Sequence, residues 1–227
     1  MYPKARVLRM DGDTTKTKDS YENILSAFSE GKADILLGTQ MIVKGHDFPN
    51  VTLVGILAAD MSLFAGDYRA AERTFQLLTQ AAGRAGRGTQ AGEVVIQTYQ
   101  PEHYSIVHAA KQDYLSFYEE EILYRELAHY PPAENLLAVL ITSKTQQTAE
   151  KWAKTLGEGL RERWSPSQMV VMGPANATIS KIQDIYRMVL YCKSSDYDML
   201  IQAKDLIEQQ NCEEVQMQFD FNPMSSY

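Results

Sequence analysis

The feature that most constrains the fold is the alternation of short apolar runs with helical patterns over the first hundred residues. Ile35 to Leu37 form a continuous apolar run that ends at Gly38-Thr39-Gln40, and Val51 to Ala59 form a second run that ends at Asp60. Such runs are typical of strands buried on both faces of a parallel sheet. We therefore predict an α/β unit with a parallel, doubly wound sheet, whose ligand edge lies at the carboxyl ends of the strands.

The remaining elements of this unit follow from periodicity and from residues that begin or end helices. Thr14 or Thr15 can cap a helix that Gly31 ends. Apolar spacing predicts further helices from Glu72 to about Ala82 and from His103 to about Ala128. Two more strand patterns are expected at Val7 to Met10 and Glu93 to Tyr99. The glutamates at 119–121 are interpreted as a solvated face.

A second domain is predicted after Tyr130-Pro131-Pro132, which breaks the helical pattern. Residues 1–130 then form one domain with a trailing helix, and residues 131–227 form an α+β domain in the ferredoxin-like βαββαβ order. That order leaves one sheet face for two helices and the other free for a partner. Its elements are predicted at Leu136 to Thr142, Thr145 to Trp164, Met169 to Met172, Tyr186 to Lys193, Tyr197 to Gln210 and Glu214 to Phe221.

Two arginines three residues apart, Arg84 and Arg87, lie near the end of a helix or on the turn that follows. A guanidinium group is always charged and binds phosphate oxygens in bidentate fashion, as stabilisation of a transferring phosphoryl group requires. Gly83, Gly86 and Gly88 leave no side-chain bulk, so a partner surface can approach the backbone. The alternative is a solvated basic helix end favoured by the helix dipole. The glycines and the upstream segment favour phosphate contact.

Several segments together resemble a known family. Arg6 to Thr15, Gly38 to Phe48 and Asp67 to Arg87 resemble the second RecA-like lobe of superfamily-2 helicases, and in particular the PriA family of replication-restart helicases. The tail, from Gly173-Pro174-Ala175 to Phe219 through Met224, resembles the C-terminal domain of that family. Many helicases share the arginine motif, whereas the Gly38 to Phe48 segment and the tail single out this family.

The resemblance implies part of an ATP-dependent, three-prime to five-prime DNA helicase that recognises stalled forks and initiates primosome assembly and replication restart. ATP and Mg²⁺ would be bound mainly by a first lobe absent from this chain, because the sequence contains no Gly-x-x-x-x-Gly-Lys-Ser/Thr loop. Zinc is expected only in an upstream cysteine-rich insertion, because Cys192 and Cys212 lack ligand spacing. This chain alone is expected to be inactive.

The resemblance also implies roles for individual residues. The catalytic residues are Gln80, Arg84 and Arg87, with Arg87 as the arginine finger. The nucleotide-binding residues are Gly45, Asp47, Arg84 and Arg87. The residues that contact single-stranded DNA are Thr39, Gln40, Lys44 and His46. Alternatively, Thr39 simply ends a strand. His46 has no second ligand at metal spacing, so a loop residue is favoured over a zinc ligand.

In the second domain, Lys181 and Arg187 flank a predicted hairpin. They are either contacts to branched DNA or ordinary surface charges.

The partners implied by the resemblance are single-stranded and fork DNA, single-strand-binding protein and other primosome proteins, in the bacterial cytoplasm and with no membrane. Two function classes stay open: part of a helicase, or a non-catalytic module that binds DNA structures or replication proteins. Another superfamily-2 helicase, such as a RecG-like one, is a nearer rival that would not share the tail.

Charge and composition restrict these possibilities. The net charge of the chain is −7. Residues 1–102 contribute −1, with 11 basic and 12 acidic residues, and residues 103–227 contribute −6, with 11 basic and 17 acidic residues. The acidity of residues 103–227 disfavours indiscriminate duplex binding. No apolar run approaches the length of a membrane span. Two cysteines with no evident pairing suggest a reducing compartment, where a buried cysteine serves as a small apolar residue.

Overall fold

A computed structural model describes residues 3–43, 48–210, 213–225 and 227. It divides into two compact units, Met1–Phe64 with Ala71–Phe117, and Ala65–Ala70 with Tyr118–Tyr227. The division falls within helix α4 (Tyr114–Leu127), and it assigns a short peptide from the middle of the first domain to the second unit. The sequence-based domain boundary after Tyr130 stays a prediction.

The first unit is built on two pairs of parallel strands. Strand β1 (Val7–Met10) pairs with β2 (Ile35–Gly38), and β3 (Leu53–Ile56) pairs with β4 (Glu93–Ile96). Parallel pairing was predicted, but among the described residues it forms two separate sheets instead of one. Burial on both faces was wrongly predicted, because alternate apolar residues of the strands are exposed. These are Val7, Ile35, Leu37, Leu53 and Val95.

Helices bury the opposite set of strand residues. Helix α1 (Lys18–Ser29) packs Leu25 against Met10. Helix α2 (Ala70–Ala82) packs Phe75 and Leu78 against α3 (Tyr104–Lys111). A strand residue that points to the other face receives no such cover, and this explains why only half of each apolar run is buried.

The start of helix α1 differs from the sequence prediction, because the predicted caps bind the backbone elsewhere. Thr17 caps α1 and accepts from the Ser20 amide at 3.3 Å, whereas the Thr14 and Thr15 hydroxyls donate to the Asp11 carbonyl at 3.2 and 2.6 Å. Gly31 follows the end of α1 with φ of 72°, as predicted.

The single helix predicted over His103 to Ala128 is two helices, α3 and α4. Gln112 ends α3 with φ of 53°, and the Asp113 carboxylate accepts from the Ser116 amide at 3.1 Å and from its hydroxyl at 2.6 Å. Such a cap starts a new helix. In α4 the solvated-face interpretation is wrong for Glu121, which is buried and bonds to Arg125 at 2.6 Å.

The second unit contains one antiparallel sheet with the strand order β6-β7-β5-β8. Its elements follow the predicted order and are β5 (Asn135–Ser143), α5 (Gln146–Arg163), β6 (Val170–Ile182), β7 (Ile185–Ser194), α6 (Tyr197–Glu208) and β8 (Gln216–Phe221). Strand β6 extends ten residues beyond its predicted end at Met172. Gly173-Pro174 breaks the apolar pattern, but the strand resumes after a register shift and reaches the hairpin turn at Gln183 and Asp184.

Both faces of this sheet are covered at its centre. Residues of α5 and α6 pack on the face that carries Leu137 and Leu190. The opposite face carries Leu136, Ala138 and Leu140, and all three are buried. The prediction that this second face is free is therefore wrong at its centre.

Leu190 provides a test of the core of the second unit. It is fully buried on the inner strand β7. We expect Leu190→Ala to lower the free energy of unfolding of this unit by about 2–5 kcal/mol, because the deletion leaves a cavity. Ile179→Ala on β6, where the side chain is 57% exposed, should change it by less than about 0.5 kcal/mol. Equal losses in urea titrations of the two variants would contradict this packing.

Candidate nucleotide-binding and nucleic-acid site

The two arginines lie on the turn that follows α2, within the range that the sequence predicted. The amides of Gly83 and Arg84 donate to the carbonyls of Thr79 at 3.0 Å and Ala81 at 3.1 Å, so the chain turns once more after Ala82. We call residues 83–88 the arginine loop.

The side chains of the arginine loop are placed differently. Arg87 is exposed, and its Nε donates to the Gly83 carbonyl at 2.7 Å. Arg84 is half-buried, and Gln80 is exposed on the last turn of α2. The structure thus brings the three predicted catalytic residues together at one end of one helix.

The glycines of the arginine loop allow it to contact the chain's own backbone. Gly86 has φ of 72°, and its amide donates to the Val51 carbonyl at 3.0 Å. A Cβ atom at Gly88 would lie 2.2 Å from the Pro49 carbonyl oxygen, and one at Gly86 would lie 2.7 Å from the Gly92 nitrogen. At Gly86 and Gly88 the missing side chain therefore serves internal backbone packing, and the approach of a partner surface stays a prediction.

The backbone that meets the arginine loop follows a predicted ligand-binding segment. Four of the predicted residues, Lys44, Gly45, His46 and Asp47, lie outside the described residues. The structure therefore does not test their predicted contacts. Phe48 is buried beside Met10 and Leu25. From there the chain reaches Pro49 and Val51, which contact the arginine loop. The predicted nucleotide segment therefore leads directly into backbone that contacts Gly86 and Gly88 of the arginine loop.

Thr39 and Gln40 lie where β2 ends, and both are exposed. A Cβ atom at Gly38 would lie 2.3 Å from the Met10 carbonyl oxygen, so the ends of β1 and β2 approach closely. A 3₁₀ helix, Gln40–Val43, follows, and the Thr39 carbonyl accepts from the Ile42 amide at 3.1 Å. Both residues thus occupy the carboxyl edge of a parallel strand pair, where α/β folds bind ligands.

Asp60 organises the carboxyl edge of the other strand pair, a role that the sequence analysis missed. It is buried and accepts hydrogen bonds from the Thr98 hydroxyl and from the amides of Tyr99 at 3.0 Å and Gln100 at 3.2 Å. These bonds, first that from Thr98, lower the pKa of Asp60. The available signal was an aspartate placed directly after an apolar run.

Lys181 and Arg187 lie on the β6–β7 hairpin, as predicted, and both bind within it. Lys181 Nζ lies 2.7 Å from Asp184 Oδ1 and 5.0 Å from the centre of the Tyr186 ring. The hydrogen bond and charge of Asp184 raise the pKa of Lys181. Arg187 Nη1 donates to the Ile179 carbonyl at 3.1 Å. Contact with DNA at these two residues stays a prediction.

Cys192 is buried in the core of the second unit, where burial raises the pKa of its thiol to about 12. It therefore acts as a small apolar residue, as interpreted, whereas Cys212 lies outside the described residues. No group of three or more His, Cys, Asp or Glu side chains within the described ranges could hold a metal ion. In the same ranges, no helix has both the length and the apolarity needed to cross a membrane.

A surface groove of about 390 Å³ in the second unit lies between the start of α5 and the residues before β8. Its hydroxyl groups have partners within the chain. The Ser143 hydroxyl donates to the Glu214 carbonyl at 2.9 Å, and that of Thr145 donates to Thr148 at 2.7 Å. We assign no function to this groove.

Family comparisons agree with both halves of this structure. Residues 2–89 match the helicase conserved C-terminal domain, and residues 126–224 match the primosomal protein N C-terminal domain. The first unit therefore contains a helicase C-terminal domain, and the arginine loop falls inside the matched range.

Individual relatives define the family more closely. The replication restart protein PriA of Bacillus subtilis is 44% identical to this chain over 97% of its length. The PriA proteins of Synechocystis and Chlamydia pneumoniae are both 38% identical, over 99% and 100% of the chain respectively. The chain belongs to the PriA family. It spans 27–30% of the length of these relatives.

Two glycines of the arginine loop provide a matched test of its packing. We expect Gly88→Ala to destabilise the first unit by about 1–3 kcal/mol, because the new methyl group would overlap the Pro49 carbonyl. Gly83→Ala should be tolerated, since a Cβ there meets its nearest atom at an ordinary 3.5 Å. Thermal unfolding of both variants measures the difference, and equal stability would show that the loop does not approach residue 49 as described.

Proposed function

We propose that this chain is part of an ATP-dependent DNA helicase that acts with three-prime to five-prime polarity in replication restart. The observation that carries the proposal is the pair of arginines on a loop whose backbone is held by close contact with residues 49–51. The relatives named replication restart protein, and the family match over the arginine loop, support the same function. On this proposal the first unit is a RecA-like lobe.

The arginine loop would supply positive charge to ATP. Arg87 is exposed and its Nε is oriented by the Gly83 carbonyl, so it suits the role of an arginine finger at the γ-phosphate. Arg84 and Gln80 would organise the motif, and Gly45 and Asp47 would contact the nucleotide. The phosphate-cradling loop and the Mg²⁺ ligands would come from a first lobe outside this chain, with zinc in a separate insertion. This chain alone should then neither hydrolyse ATP nor bind it tightly.

DNA would meet the same lobe at the carboxyl edge of the strands. Thr39 and Gln40 are exposed there, and Lys44 and His46 follow shortly along the chain. Contacts of this type go to phosphate and sugar, so they are independent of base sequence and weaken as salt rises. The exposure of Thr39 favours this role over that of a simple strand end.

The arginine finger is tested in the full-length helicase of which we propose this chain is a part. Arg87→Ala should lower DNA-stimulated ATP hydrolysis about a thousandfold or more, because charge on the transferring phosphoryl group loses its partner. Binding to single-stranded DNA should stay within about twofold. Arg163→Ala, at the exposed end of α5, is the control for loss of one arginine. Near-normal hydrolysis by the Arg87 variant would refute the assignment.

We further propose that the second unit has the ferredoxin-like arrangement and recognises forks or replication proteins. Its antiparallel strand order and the packing of α5 and α6 on one face support the fold. Fork DNA, single-strand-binding protein and other primosome components in the bacterial cytoplasm are the expected partners. The match of residues 126–224 weighs against a RecG-like helicase. The alternative is a purely non-catalytic module. Loss of ATP hydrolysis in Arg87→Ala would exclude this alternative, and near-normal hydrolysis would favour it.

The hairpin cations provide the test of fork binding. Lys181→Glu with Arg187→Glu should weaken binding to forks more than to plain single strands, while ATPase activity on single strands persists. Lys151→Glu with Lys154→Glu on α5 makes the same charge change on exposed residues of the same unit. If fork-binding titrations give the same affinity for the two double variants, Lys181 and Arg187 are ordinary surface residues with no specific role in fork binding.

A further inference from the structure

Four side chains of the second unit form a column in which two cations enclose two stacked aromatic rings. The Arg125 guanidinium carbon lies 4.9 Å from the centre of the Tyr68 ring. The Tyr68 and Tyr130 rings stack with centres 5.1 Å apart and planes 6° apart. Lys193 Nζ lies 3.4 Å from the centre of the Tyr130 ring. We call this set the cation–aromatic column.

Both ends of the column are fixed by further contacts within the second unit. Arg125 is buried, bonds to Glu121 and donates from Nη1 to the Pro131 carbonyl at 2.6 Å. Lys193 is buried on β7 and donates to the Ala128 carbonyl at 2.8 Å. Burial lowers the pKa of Lys193. The cations are therefore held in place, and a cation on an aromatic face is stabilised more strongly once it is removed from water.

The tyrosine in the middle of the column comes from a distant part of the sequence. Tyr68 lies in the peptide Ala65–Ala70, which packs in the second unit although Phe64 and Ala71 belong to the first. Its hydroxyl donates to the Pro223 carbonyl at 3.0 Å. The ring and hydroxyl of Tyr68 thus attach this peptide to the second unit.

The attached peptide leads straight into the helix that carries the arginine loop. The Asp67 carboxylate accepts from the Arg69 amide at 2.8 Å, and its carbonyl accepts from the Ala70 amide at 3.2 Å. Helix α2 begins at Ala70 and ends at Ala82, immediately before the arginine loop. Helix α2 therefore begins two residues after Tyr68 and ends just before the arginine loop.

We infer that Tyr68 is a positioning residue, whose ring and hydroxyl contacts hold the start of α2, the helix that precedes Arg84 and Arg87. Tyr68 itself touches no nucleotide. This inference rests on the proposed function of the arginine loop, so its test has one arm that does not depend on ATP hydrolysis.

The first arm is amide hydrogen exchange on this chain. Tyr68→Leu should raise exchange of the amides of residues 67–73 about tenfold or more, while amides in α5 stay protected. Tyr68→Phe keeps the ring and should retain most of the protection. Tyr99→Leu, at a tyrosine that is 91% exposed, is the control and should change nothing at 67–73. Unchanged exchange in Tyr68→Leu, or equal loss of protection throughout α5, would overturn the inference.

The second arm uses the full-length helicase with fork DNA. Tyr68→Leu should lower kcat for ATP hydrolysis about tenfold, with KM for ATP and the Kd for fork DNA within about twofold, because only presentation of the arginines is altered. Tyr68→Phe should restore most of kcat. An unchanged kcat in Tyr68→Leu, when Arg87→Ala is inactive, would refute the coupling. If Arg87→Ala is active, the proposed function fails, and the exchange experiment alone decides whether Tyr68 holds α2.

Discussion

The candidate site depends on how closely the arginine loop approaches the backbone before β3. At Gly88 the space for a Cβ atom is taken by the Pro49 carbonyl, and at Gly86 the amide donates to Val51. Backbone contacts of this kind leave little freedom to the loop, so the positions from which the arginines project are set before any ligand arrives. On the proposed function, electrostatic stabilisation of a transferring phosphoryl group would gain from this, because groups that are already in place need no reorganisation.

The sequence predicted the order of elements well because that order depends on local patterns. Periodicity located the strands and helices of both units, and the hairpin between β6 and β7 was expected. The misses arose where a few polar atoms or long-range contacts decide the outcome. Asp113 starts a new helix inside a continuous helical pattern, and Glu121 is buried because Arg125 lies one turn away. Neither the packing of Gly88 against Pro49 nor the stacking of Tyr68 on Tyr130 leaves a periodic signal.

The strands of the first unit show a different limit of sequence interpretation. A continuous apolar run predicts cover on both faces, since a parallel sheet is stable when helices pack on each side. In the described residues α1 and α2 cover one face, and side chains such as Ile35 and Leu53 remain 42% and 59% exposed on the other. The apolar runs thus predicted burial of both strand faces, whereas only one face of each strand pair is buried. In the second unit the reverse holds, because the face expected to be free has a buried centre.

The opposite face of the second sheet also shows how the second unit holds the peptide that precedes α2. Its inner strand presents Lys193, which lies over the Tyr130 ring, and Tyr130 in turn stacks on Tyr68 of the peptide before α2. Stacked rings and cation–π contacts are individually modest. An attachment of this strength can hold the start of a helix in the resting protein and still respond to a ligand that changes the packing around it. The net charge of −6 beyond residue 102 does not oppose such a role, because ring stacking and cation–π contacts within the unit need no basic surface.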